Sequence, residues 1–86
     1  MVQIIYRMPA TLNARGIRRT QHYADIAAGL FTKPVKLGRR MSGWPDTEVE
    51  ALNRARIAGK SDVEIKELVR RLEAARMGSL DGGTAK

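Results

Sequence analysis

Apolar residues recur along the chain in a helical rhythm on both sides of a short stretch with period two. Between Met8 and Ala14 that rhythm puts Met8, Leu12 and Ala14 on one face of a short helix, with Pro9 tolerated in its first turn. Arg15-Gly16-Ile17 interrupts it. Gly16 is suited to the left-handed conformation that ends a helix, and Ile17 is expected to drop into the core beside the turn. A second helix is predicted from about Arg19 to Ala28, stopped by Gly29.

From Lys33 the rhythm changes. Val35-Lys36-Leu37 alternates, Gly38-Arg39-Arg40 supplies a turn, and Met41-Ser42-Gly43-Trp44 alternates again, which predicts a hairpin of two short strands with two arginines at its tip. Pro34 precedes the first strand, where it removes no ladder hydrogen bond. Trp44 is expected to anchor this hairpin to the core.

Pro45 and Asp46 open a third helix that ends at Gly59, with Val49, Leu52 and Ile57 inward. Ser61-Asp62-Val63-Glu64 is a capping box and starts a fourth helix, which runs to about Met77 with Ile65, Leu68, Val69, Leu72 and Met77 at helical spacing. The expected architecture is mainly α: a winged helix-turn-helix with a small two-stranded β-hairpin wing and two C-terminal helices. One domain covers 1–77, and the small, polar segment 78–86 is expected to be disordered.

Charge sharpens this picture, because the net +7 is unevenly placed. Residues 1–43 hold eight basic residues against one acid, Asp25, whereas residues 44–86 hold eight of each. A phosphate backbone rewards such a patch by releasing condensed counterions. A solubilising surface would mix the signs, as the second half does. The chain has no cysteine, which removes disulfides, thiolate metal sites and cysteine nucleophiles. Ile26 to Phe31 is the longest apolar run and is far too short for a bilayer, so a cytoplasmic protein is expected.

Helix, glycine turn, helix and basic hairpin is the order of a winged helix-turn-helix. At 100° per residue, Arg18, Asp25, Ile26 and Gly29 fall on the side of His22, while Thr20, Tyr23, Ala24 and Ala27 point away; Arg19, in the first turn, is assigned with the outward set. The DNA-contacting set expected from this geometry is Arg18, Arg19, Thr20 and Tyr23 on the second helix, with Lys33, Lys36, Arg39 and Arg40 on or beside the wing. Arg19 either makes paired hydrogen bonds to a guanine or touches phosphate. His22 reads as a core histidine, with no second histidine to pair with.

Arg7-Met8-Pro9, Arg15-Gly16-Ile17, Tyr23, Phe31 to Gly38 and Gly43-Trp44 followed by Glu48-Val49 resemble the AlpA-type phage regulators. That group includes excisionases, or recombination directionality factors, of prophages and integrative and conjugative elements. The likeness covers roughly Arg7 to Ile57. It implies DNA binding through the helix after Gly16 and through the wing, serving either an integrase during excision or a promoter. The chain departs from the family pattern at Arg18, His22, Ala24 and Leu52, departures that bear on sequence preference.

The sequence shows no metal cluster, no Gly-rich phosphate loop and no nucleophile with its base, so an enzyme is not expected and no cofactor is implied. The carboxylates of the last two helices read as solvated, in pairs such as Glu67 and Arg71. Expected partners are double-stranded DNA, an integrase and further copies of the chain, with the fourth helix supporting cooperative association. A protein-interaction module, with the basic half merely solubilising, is the alternative from another class.

Overall fold

The computed structural model describes residues 4–84, with side chains through Arg76. Its elements run β1 (Ile5–Tyr6), α1 (Met8–Arg15), α2 (Arg19–Ala28), β2 (Val35–Lys36), β3 (Ser42–Pro45), α3 (Asp46–Ile57) and α4 (Asp62–Thr84). The result is a mainly α, winged-helix-like fold in which four helices pack on a small antiparallel sheet.

Both glycine stops form as the pattern requires. Gly16 (φ 71°) and Gly29 (φ 80°) are left-handed, and each amide turns back onto the helix it ends. An L side chain would be strained at either position. The capping box also forms: the Ser61 amide donates to Glu64 Oε1 at 2.9 Å, and the Glu64 amide donates to Ser61 Oγ at 3.3 Å.

The sheet has one strand more than the two-stranded hairpin expected. Its order is β1-β3-β2, so β3 lies between the wing strand and the start of the chain. Ile5 pairs with Pro45 and Tyr6 with Trp44 on one side; Val35 pairs with Gly43 and Lys36 with Ser42 on the other. β1 is only two residues long and pairs across forty positions, so no local signal announces it. Gly43 allows the approach: a Cβ there would lie 2.6 Å from the Tyr6 carbonyl oxygen.

The core is Phe31, Trp44, Val49, Leu52, Ala55, Ile65 and Val69, edged by Tyr6, Met8, Ile26, Leu30, Leu68 and Leu72. Trp44 anchors the wing, with its Nε1 donating to the Thr32 carbonyl at 2.8 Å. Truncating a buried aromatic such as Trp44 or Phe31 costs about 3–5 kcal/mol.

Several expected inward positions differ. Ala14 is exposed, and the inner face of α1 is Met8, Thr11, Leu12 and Arg15, with Thr11 wholly buried. Ile17 is half-buried beside the turn. Ile57 is 85% exposed at the last residue of α3. Leu37 and Met41, apolar positions on either side of the wing turn, are exposed too.

The acids of the last two helices are not all solvated. Glu48 is buried and receives Arg76 through Nη2 and Nε at 2.6 and 2.7 Å, and Arg76 Nη2 also donates to the Lys33 carbonyl. Glu67 and Arg71 form no ion pair among the described residues. Helix α4 continues beyond Met77 to Thr84, where a disordered tail was expected. A glycine costs a helix only about 1 kcal/mol, so Gly78 does not force a stop. The inward position expected for Met77 and the end of the chain at 85–86 lie outside what the structure describes.

Candidate nucleic-acid interface

Helix α2 is held from beneath by a polar network. Arg15, at the end of α1, donates from Nη2 to Asp25 Oδ2 at 2.6 Å and from Nη1 to His22 Nδ1 at 2.8 Å. Gln21 Nε2 donates to the other Asp25 oxygen at 2.8 Å. The Arg15 guanidinium also lies 4.1 Å from the centre of the Phe31 ring, a cation–π contact.

His22 is fully buried, with ring centres 4.7 Å from Trp44 and 5.0 Å from Phe31. Burial, then the Arg15 charge, lowers its pKa from 6.5 to about 4, so the imidazole is neutral at pH 7. Arg15 has only protons to offer, so Nδ1 accepts and the neutral ring carries its proton on Nε2. Burial likewise lowers the Arg15 pKa, with Asp25 opposing it.

From the sequence Arg15 is one of the basic residues and part of the Arg15-Gly16-Ile17 break, with no partner foreseen; the structure assigns it to this network. A signal was available: Asp25 is the sole acid of the first half and falls on the inward face, where a charge needs a partner.

The opposite face of α2 is open. Thr20, Tyr23, Ala24 and Ala27 are exposed, while His22 and Asp25 are buried, as the helical spacing predicted; Arg18 and Arg19, which the spacing sets on the side of His22 at about 40° and 60°, are exposed as well, because they lie at the N-terminal end of the helix. Arg18 is the N-cap residue, in extended conformation and without a side-chain cap hydrogen bond. The wing carries Lys36 on β2 and Arg39 and Arg40 in the turn, all exposed, and Lys33 is exposed in the loop between α2 and β2. Among the described residues, none of these six cations takes part in an ion pair. With Asp25 neutralised internally by Arg15, the surplus charge of the first half faces outward.

Among the described residues, no group of three or more His, Cys, Asp or Glu is placed to hold a metal ion, and no helix is long and apolar enough to cross a membrane.

A sequence model of one protein family, described as prophage CP4-57 regulatory protein (AlpA), matches residues 4–57. The match runs from β1 through α3, and so includes α1, the glycine turn, α2 and the wing. No curated protein and no solved structure matches the chain significantly.

Proposed function

The chain belongs to the AlpA family of prophage regulatory proteins and is a phage-type DNA-binding regulator; on that premise we propose that it acts as an excisionase, laying α2 in the major groove with the wing on the adjacent backbone. The observation that carries the reading is the two-sidedness of α2. Its inner face is spent on Arg15, Phe31 and Trp44, and its outer face presents Arg19, Thr20 and Tyr23 with no other task in the fold.

Arg19 and Thr20, in the first turn, reach base edges; Arg18 and Tyr23 contact the flanking backbone. The uncapped start of α2 adds amide donors and the positive end of the helix dipole, both favourable to a phosphate. Lys33, Lys36, Arg39 and Arg40 take phosphates beside the wing. Copies on adjacent sites bind cooperatively, shape the DNA and help an integrase assemble for excision, with all bond chemistry belonging to the integrase.

The test is twofold. An excision assay with the cognate integrase should depend on this chain, and transcription from a neighbouring promoter without any effect on excision would assign it instead to promoter control. Binding of the whole chain to a fragment with several sites should be cooperative, and independent occupancy of the sites would end the assembly part of the proposal. Deleting residues 61–86 is no substitute, because Ile65 and Val69 belong to the core and their loss would unfold the protein.

A further inference from the structure

Lys66 and Arg70 are exposed one turn apart on α4 and share a cleft of about 210 Å³ with Lys33, over a floor of Ile26, Phe31 and Val69. Gly29, the C-cap of α2, lines the same cleft, and a Cβ on it would lie 3.8 Å from Lys66 Cγ. The aliphatic stem of Lys66 therefore rests against the C-terminal end of α2. Among the described residues Glu73 is the one carboxylate lining the cleft, and its Oε2 accepts from the Lys33 amide at 2.8 Å. Among the described residues, none of the three cations is in an ion pair.

The dimensions of α2 give this cluster a use. Ten residues make a helix about 15 Å long, and the major groove is about 12 Å wide. A helix lying in that groove brings its two ends to the two flanking backbones. Arg18 serves the N-terminal end. The last turn of α2 has no basic residue, and it carries the negative end of the helix dipole, which repels phosphate. The cations at that end come from the following loop and from α4.

We propose that Lys66 and Arg70 are DNA-backbone contacts which, with Lys33, hold a phosphate of the strand at the C-terminal end of α2. This rests on the groove reading above. Because α4 lies beyond residues 4–57, the contact belongs to a part of the chain outside the segment shared with the family. The arginine supplies a forked donor pair and the two lysines point charges, the combination that phosphate oxygens accept.

The experiment measures retention of the full chain on a random-sequence duplex of about 20 base pairs, and on its specific site, across a salt series. The double variant Lys66→Ala/Arg70→Ala should lower the slope of log affinity against log salt by about 0.9, the value for the one phosphate these residues hold. It should weaken specific and random DNA alike. Lys60→Ala/Arg71→Ala removes the same charge from the separate cleft formed with Ala55 and Leu68, and should keep the wild-type slope. The exchange Lys66→Arg/Arg70→Lys, which preserves charge, should also keep it and guards against an effect on folding. A wild-type slope in the first variant, or equal losses in the two alanine pairs, overturns the phosphate contact while DNA binding by α2 stands; the first of these outcomes leaves the cleft to another ligand, such as an acidic peptide. Failure of the wild type to retain any DNA overturns both.

Discussion

Arg15 and Asp25 meet in an ion pair whose side chains are 7% and 8% exposed, with Arg15 Nη2 2.6 Å from Asp25 Oδ2. It joins the last residue of α1 to the inner face of α2 across the glycine turn. The same guanidinium touches His22 and covers Phe31, so one side chain connects the turn to the aromatic core.

Arg15→Ala should therefore destabilise by about 3–5 kcal/mol, because the Asp25 carboxylate would stay buried without its cation. Urea unfolding of the two proteins measures this. A change below about 1 kcal/mol would mean that water already screens the pair.

Stability should depend on pH through His22. Its pKa is lowered from 6.5 in the unfolded chain to about 4 in the folded one, first by burial and then by Arg15. Between those values the unfolded chain binds the extra proton. Stability is thus fully present above about pH 6.5 and falls as the pH drops toward 4, with a slope approaching about 1.4 kcal/mol per pH unit. Urea midpoints collected from pH 7 to pH 4 should show the fall, and His22→Gln should flatten it. A wild-type curve that is level over this range would contradict the buried neutral imidazole.

Gly43→Ala should break the seam between β1 and β3. The new methyl would sit 2.6 Å from the Tyr6 carbonyl oxygen and 2.7 Å from Ile5 Cγ2, closer than atoms pack. Relief requires strand movement, at a cost of about 1–3 kcal/mol. Hydrogen exchange at the Asp46 amide, bonded to the Ile4 carbonyl at 2.7 Å, reads the opening directly. Unchanged protection there would show that β1 tolerates the methyl in place.

Specific and nonspecific DNA contacts should separate by residue. Arg19→Ala should cost about 1–3 kcal/mol on the cognate site and relax specificity. Arg39→Ala with Arg40→Ala should weaken every sequence alike and lower the salt slope by about 1.8. Titrations against cognate and random duplexes distinguish them, and equal losses on both for Arg19→Ala would move that residue to the phosphate backbone.

What the sequence by itself determined is local. Gly16 and Gly29 stop helices because their neighbours ask for a positive φ, Ser61 and Glu64 cap within one turn, and the faces of α2 follow from 100° per residue. Such features arise among residues a few positions apart, whose geometry the backbone dictates wherever the segment lies in the fold. The outer face of α2 formed by Thr20, Tyr23, Ala24 and Ala27 and the exposed arginines of the wing belong to this class.

Tertiary structure decided the rest. It paired β1 with β3 across forty positions, turned Arg15 inward onto Asp25, buried Glu48 against Arg76 and left Ile57 uncovered. A side chain's type states what burial would cost it, whereas only the packed neighbours state whether that cost is met. An arginine and a glutamate therefore look solvated in the sequence until a distant partner is brought to them.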